Sequence, residues 1–135
     1  PLISILSHLS QKGQLPPAVE FLYGFQSPKN SESKSFDASK VLFLPRLRSI
    51  TSTTDRISLS LFATGSHISS SGPESQDSLE SIKYRRMTSS DIVRSLGPVE
   101  KRSNTVVYIC GPPAMTDEFV DVAKSVEGIR QERVL

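Results

Sequence analysis

The sequence predicts an α/β domain built on a doubly wound parallel sheet in three αβα layers. Three observations predict it. The chain starts in an amphipathic helical stripe. Two β-rich runs, 19–24 and 56–64, are separated by a helical segment. A nearly continuous apolar run, Thr105 to Cys110, leads directly into a second amphipathic helix. Helix and strand alternating in this way give parallel strands, because each helical crossover carries the chain back to start the next strand in the same direction.

Each element has its own signal. Leu2, Ile5, Leu6 and Leu9 recur at helical spacing, the stripe of a helix packed on a sheet. Pro1 suits the first turn, where its missing N–H would be unpaired anyway, and Gly13 suits the helix end. Val19 to Gly24 reads as a strand bounded by Pro16-Pro17 and Gly24, and the polar residues 26–36 read as a loop. Asp37 is placed to cap a helix carrying Val41, Leu42, Leu44 and Leu47, and Pro45 should kink or split that helix.

Arg56 to Thr64 reads as a strand with Ile57, Leu59, Leu61 and Ala63 on one face. Residues 65–81 are rich in Ser, Gly and acids, a composition that buries too little apolar surface to order itself, and are expected to be a flexible insertion. Thr88 or Ser89 should cap a short helix holding Ile92, Val93 and Leu96, ended by Gly97-Pro98. Thr105 to Cys110 is expected to be a strand covered on both faces. A helix over about 113–126 should place Met115, Phe119, Val122, Ala123 and Val126 on one side, and Arg133 to Leu135 begins a further strand.

Composition narrows the function classes. A chain of 135 residues with 36% apolar content suits one domain. A net charge of +2 without clustered cations beyond Arg85-Arg86 gives no argument for nucleic acid or an anionic membrane, and no nucleic-acid partner is expected. No apolar run is long enough for a transmembrane helix, and the N-terminus has no signal-peptide or transit-peptide pattern. One cysteine excludes an internal disulfide framework, and one Cys with two distant His gives no metal-ligand spacing. His8 lacks a serine or acid pattern around it and reads as a helix-surface residue. Both ends read as cut, so the chain is expected to be a fragment.

In doubly wound folds a ligand sits beyond the carboxyl ends of the strands. Cys110-Gly111-Pro112-Pro113-Ala114-Met115 lies at one such end. Gly111 permits close backbone approach, the two prolines stiffen the turn, and Pro113 is placed to start a helix whose N-terminus favours negative charge. An isolated cysteine is more often a buried small hydrophobe closing a strand, and that alternative stands beside a thiol at the mouth of the crevice.

Cys-Gly-Pro-Pro-x-Met between an apolar strand and a helix resembles the ferredoxin reductase-like family of NAD(P)-binding domains. Three further segments share the likeness. Pro1 to Leu6 is similar to the stretch after that family's glycine-rich turn, Phe21-Leu22-Tyr23-Gly24 to its second strand, and Arg86-Met87-Thr88 with Asp91-Ile92 to a short helix start. Within the family, the run Pro1 to Leu6, Lys29-Asn30 and Tyr108 to Asp117 looks most like the oxidoreductase NAD-binding domain-containing group.

The resemblance implies a Rossmann-like partial NAD(P)-binding domain over 1–135, whose central first strand, glycine-rich turn and FAD-binding domain fall outside these residues. It implies that NAD(P)H is presented to FAD on another domain of the same protein, for onward transfer to an unidentified acceptor. Pro1 and Leu2 would begin the helix under the pyrophosphate, Tyr23 and Gly24 would turn towards the adenosine, and Gly111, Pro112, Pro113 and Met115 would lie beside the nicotinamide. Cys110 would place that ring against the flavin as the catalytic residue. An intracellular, mitochondrial setting is implied by the same likeness.

Coenzyme preference rests on charge. Thr64 and Gly65 end the strand expected at the adenosine, either as contacts to it or as an ordinary strand-to-loop turn. Gly65-Ser66-His67 carries no Arg or Lys for a ribose 2′-phosphate, which leans towards NADH, unless Lys29 or Arg85-Arg86 reach in from elsewhere. The competing expectation is a truncated, non-catalytic remnant or interaction module of the same fold, with sheet backbone that something else must cover.

Overall fold

The structure is a computed structural model that describes residues 1–27, 38–65, 76–77 and 80–135. Lys29, Asn30, Asp37, Ser66, His67 and most of the expected insertion lie outside the described residues. The chain forms two compact units, Ile3–Met87, and Thr88–Leu135 together with Pro1–Leu2.

The Ile3–Met87 unit is α/β around a three-stranded parallel sheet. It comprises α1 (Leu2–Gln11, whose first residue belongs to the other unit), β1 (Val19–Gln26), a short 3-10 turn at Ala38–Lys40, α2 (Leu44–Thr51), β2 (Ile57–Thr64), β3 (Gln76–Asp77) and β4 (Glu80–Lys83). The strand order is β1-β2-β4-β3, with β1, β2 and β4 parallel and the two-residue β3 antiparallel to β4.

Register explains the core. Val19, Phe21, Tyr23 and Phe25 stand opposite Ile57, Leu59, Leu61 and Ala63, so one face of both strands is apolar throughout. Ile57, Leu59 and Leu61 are buried on that face with Leu6 of α1, Val41, and Leu44 and Leu47 of α2. Burial of each such side chain contributes about 1.5–3 kcal/mol before the cost of ordering the chain.

Helix α1 meets this core by a different stripe from the expected one. Leu6 is buried and Ile3 packs against the core, whereas Ile5 is 38% exposed. The face turns because Ser7 is buried beside Leu6, and its hydroxyl is satisfied by Arg46 Nε donating to Oγ at 3.0 Å. Gly13, at φ 66°, ends the helix as expected.

Pro45 acts as its chemistry requires. The segment expected as one helix from Asp37 is split, and α2 begins only at Leu44, with the proline in its first turn. Phe43, just before it, takes a left-handed backbone at φ 64°, and Leu42 is exposed rather than in the helical stripe. Tyr23 ties down this turn by donating its hydroxyl to Leu42 O at 2.6 Å.

Strand β4 has only one apolar residue in Glu80-Ser81-Ile82-Lys83, and its first two residues fall in the stretch 65–81 expected as insertion. Its polar residues each find a partner on β2 or α2. Ser81 Oγ lies 3.2 Å from Ser60 Oγ on β2, Lys83 Nζ stands 5.0 Å above the Phe62 ring, and Ile82 joins the core. Glu80 accepts two bonds from Arg48 of α2, at 2.6 and 3.1 Å.

The second unit comprises α3 (Ser89–Ser95), α4 (Val99–Arg102), α5 (Pro113–Ser125) and a 3-10 turn at Gln131–Arg133. Thr88 caps α3: its N–H and hydroxyl both donate to Asp91 Oδ2 at 2.9 Å. Helix α3 packs on α5, burying Ile92, Leu96, Phe119 and Ala123. Gly97, at φ 67°, closes α3, and Arg102 donates to Gly97 O at 2.9 Å and Glu127 O at 3.0 Å, joining the ends of the two helices.

Thr105 to Cys110 is extended but is not a strand covered on both faces. Val107 and Ile109 donate to Arg133 O and Leu135 O, and Leu135 donates back to Val107 O, a short parallel pairing with one edge only. Val106 and Tyr108 are 46% and 49% exposed, so successive side chains alternate between half cover and solvent. The apolar run is the sequence of a strand covered on both faces, whereas here one face of it, with Val106 and Tyr108, is exposed.

Candidate functional site

The parallel strands β1 and β2 end together, Gln26 opposite Thr64, and at that end an open cleft of about 480 Å³ is formed by Gln26, Ala63, Thr64, Gly65, Tyr84, Arg85 and Arg86. Local structure explains why these residues meet. β4 runs parallel to β2 with Phe62 opposite Lys83, so the residues that follow Lys83 emerge on the same side as those that follow Phe62. Ser27 N donates to Thr64 O at 2.7 Å and Thr64 Oγ1 donates to Phe25 O at 3.2 Å, which ties the β1 and β2 ends together. Gly65, at φ 153°, then leaves the strand past Ser27.

The wall of the cleft carries the charge. Arg85 places its guanidinium carbon 5.5 Å from the centroid of the Phe62 ring, and Phe62 is 1% exposed, so the cation rests on a fixed aromatic surface. Arg85 Nη1 also donates to Arg86 O at 2.9 Å, which holds the turn between them. Both arginines are exposed and Tyr84 is half-buried beside them. The cleft is therefore a polar, cation-bearing surface with hydroxyl and amide groups at its floor.

Of the residues singled out from sequence, Thr64 and Gly65 lie in this cleft, and so do Arg85 and Arg86. Tyr23 and Gly24 lie further back in β1, because the strand continues to Gln26, pairing with β2 all the way. Tyr23 packs with the core side of the sheet and is tilted against Phe25 at 5.8 Å, and burial raises its hydroxyl pKa. Gly24 is on the opposite face, where an added Cβ would meet only the Met87 methyl, at 4.0 Å. Gln26 and Tyr84 were missed. The signal for Gln26 was the period-two alternation continuing through Phe25; Tyr84 had none, since the polarity of β4 hid the strand that positions it.

In the other unit, Cys110 is exposed and free, so the buried-hydrophobe alternative does not describe it. The turn after it is rigid by construction of its bonds. Pro112 is the N-cap of α5 and Pro113 its first residue, Thr116 N donates to Pro112 O at 2.9 Å, and Thr116 Oγ1 donates to Gly111 O at 3.2 Å. The Met115 methyl folds over Gly111, in the place a Cβ would take. Pro1 is exposed ahead of α1, and Leu2 is half-buried as its first residue. His8 is on the solvent side of α1.

Among the described residues, no three His, Cys, Asp or Glu side chains are grouped to hold a metal ion, and no helix is long and apolar enough to cross a membrane. Compared with protein-family models, with curated proteins and with solved structures, the chain finds no match.

Proposed function

We propose that the chain is the nicotinamide-nucleotide-binding module of a flavin-dependent oxidoreductase, presenting NAD(P)H for hydride transfer to FAD held on another domain of the whole protein. The observation that carries this reading is the cleft beyond the carboxyl ends of β1 and β2, the place where open parallel α/β sheets take nucleotides. The doubly wound, Rossmann-like architecture is part of the same proposal, and the three parallel strands are compatible with it.

The residues of the cleft fit one end of such a ligand. Gln26 and Thr64 supply polar atoms, Tyr84 an aromatic surface, and Arg85 and Arg86 positive charge for phosphate. In the other unit, Pro112 and Pro113 hold the turn, Met115 packs on Gly111, and the exposed thiol of Cys110 is assigned to the nicotinamide. The start of α1 at Pro1-Leu2 is assigned to the pyrophosphate, for which a helix N-terminus is suited. When bound, the coenzyme supplies a hydride from nicotinamide C4 to flavin N5, and the protein contributes position and electrostatics.

Stopped-flow flavin reduction on the whole protein tests the proposal. NADH or NADPH should bleach the flavin, and Cys110→Ala should slow that step by about ten-fold or more while leaving coenzyme affinity nearly unchanged. Flavin that neither coenzyme reduces would sink the reading. In that case the second reading, a non-catalytic interaction module, takes over, and the exposed Val106 and Tyr108 beside the short 107–134 pairing favour it.

A further inference from the structure

The segment that joins β4 to α3 reads Tyr84-Arg85-Arg86-Met87-Thr88 and carries neither helix nor strand. Arg85, Arg86 and Thr88 are exposed, and Thr88 has an extended backbone, at φ −124° and ψ 164°. A hydroxyl is thus offered to solvent just after a pair of guanidinium groups, with one residue between. Guanidinium groups are gripped well by carboxylates, so an enzyme with an acidic groove can hold the two arginines while its catalytic base meets the hydroxyl. An arginine pair, one spacer and a hydroxyl form the substrate pattern of arginine-directed serine/threonine protein kinases.

Other threonines that follow an arginine lack one of these properties. Thr51 and Thr105 each stand three residues after an arginine, Arg48 and Arg102, but both are half-buried. Thr51 is the last residue of α2, and Thr105 Oγ1 donates to Lys101 O at 3.3 Å. Arg-Arg occurs once in the sequence, ahead of Thr88.

We infer that Thr88 is a phosphoacceptor for an arginine-directed protein kinase, and that its phosphorylation undoes the cap of α3. Thr88 Oγ1 forms a bond to the γ-phosphorus of a nucleoside triphosphate while the bond from that phosphorus to the bridging oxygen breaks. The hydroxyl proton goes to the base of the kinase, and nucleoside diphosphate leaves. In the unmodified protein the hydroxyl donates to Asp91 Oδ2 at 2.9 Å, and Asp91 is 4% exposed. Rotation about the Cβ–Oγ1 bond frees the proton for the kinase at the cost of that one hydrogen bond. Once phosphorylated, the side chain no longer donates, and it sets its negative charge against a buried carboxylate. The first turn of α3 then loosens, and with it the packing of α3 on α5, where Ile92 and Leu96 are buried.

The test is phosphorylation of the whole native protein by the catalytic subunit of cyclic-AMP-dependent protein kinase, an arginine-directed probe, with magnesium and radiolabelled ATP. Label should map to Thr88 by tandem mass spectrometry, a result that needs no variant. Arg85→Gln and Arg86→Gln, each checked for folding by circular dichroism, should lower kcat/KM for the transfer by about ten-fold or more. The phosphorylated protein should melt several degrees below the unmodified one. In Asp91→Asn, whose amide can donate to the phosphate, the difference between the two forms should shrink. No label on the native protein, label only at other residues such as Ser89 or Ser90, or unchanged kinetics in both glutamine variants overturns the assignment of Thr88. Label at Thr88 with no change in melting, or with the same change in Asp91→Asn, overturns the loss of the cap.

Discussion

Arg48 of α2 grips Glu80 of β4 through two hydrogen bonds, 2.6 and 3.1 Å long, and so anchors the first residue of the strand that carries Tyr84, Arg85 and Arg86 to the cleft. The bond to Glu80 pushes the Arg48 pKa up from an already high value, against the lowering effect of its partial burial. Both side chains are partly exposed, 40% and 23%, so solvent screens much of the attraction. A double-mutant cycle on Arg48→Ala and Glu80→Ala should return a coupling of about 1 kcal/mol by chemical denaturation, smaller at high salt. Zero coupling at low salt would show that the pair is ornamental.

Tyr23 offers a pH test. Burial raises its hydroxyl pKa above 10.0, so the folded state holds that proton more firmly than the unfolded chain. The stabilisation is therefore complete below the unfolded value and is lost as pH rises through the higher folded one. The protonated form is the one that donates to Leu42 O. Tyr23→Phe should cost about 1 kcal/mol near pH 7 and flatten the alkaline fall in stability above pH 10. Denaturant melts between pH 7 and 11 for both proteins check it; parallel curves would contradict it.

Two glycines should behave oppositely. Gly128, at φ 86°, would bring a Cβ to 2.9 Å from Val99 O and 3.3 Å from Arg102 Cβ, so Gly128→Ala meets both backbone strain and a backbone atom. It should destabilise by about 2 kcal/mol or more. Gly24 has room for a methyl, and Gly24→Ala should change stability by less than about 1 kcal/mol. Any loss of nucleotide binding in Gly24→Ala would then report on the ligand rather than the fold.

The cap on α3 is a fourth stability test. Asp91 is buried at 4% exposure and accepts from both the N–H and the hydroxyl of Thr88. Asp91→Ala leaves those donors without their acceptor and should cost about 1–2 kcal/mol. Thermal unfolding of the variant, with Thr88→Ala as a smaller perturbation, measures it; an unchanged melting temperature would rule the cap out as a stabilising element.

Cys110 should react in the native state. The thiol is exposed, so a chromogenic disulfide reagent should label one equivalent without denaturant. Labelling that begins only in urea would show the thiol to be covered in solution.

What could be read from the sequence followed the apolar pattern. β2 was read almost to the residue, because Ile57, Leu59, Leu61 and Ala63 alternate strictly, and a break near Pro45 was expected from its missing N–H, though it falls just before Leu44 so that the proline lies in the first turn of α2. The pattern failed where polar groups satisfy one another. β4 was invisible because Glu80 and Ser81 find their partners, Arg48 and Ser60, on elements distant in sequence. The same mechanism turned α1, where Arg46 makes Ser7 a tolerable buried residue. Thr105 to Cys110 failed in the other direction: its apolarity described two covered faces, and the face with Val106 and Tyr108 is exposed. The Thr64-Gly65 half of the cleft was readable from the end of β2, whereas the Tyr84–Arg86 wall required knowing that β4 exists.

That wall and that floor differ in how they are held. β2 is clamped by a fully apolar face, while β4 adds to its backbone pairing chiefly polar contacts, the Arg48–Glu80 pair, the Ser60–Ser81 contact and Lys83 over Phe62, with a single isoleucine in the core. Opening free energies follow such differences, so amide hydrogens of β2 should exchange near the global limit and those of β4 much sooner. A ligand that bridges Thr64 and the two arginines would slow exchange chiefly along β4. A nucleotide held there would meet a stiff half and a more compliant half, and part of its binding free energy would go into finishing the sheet.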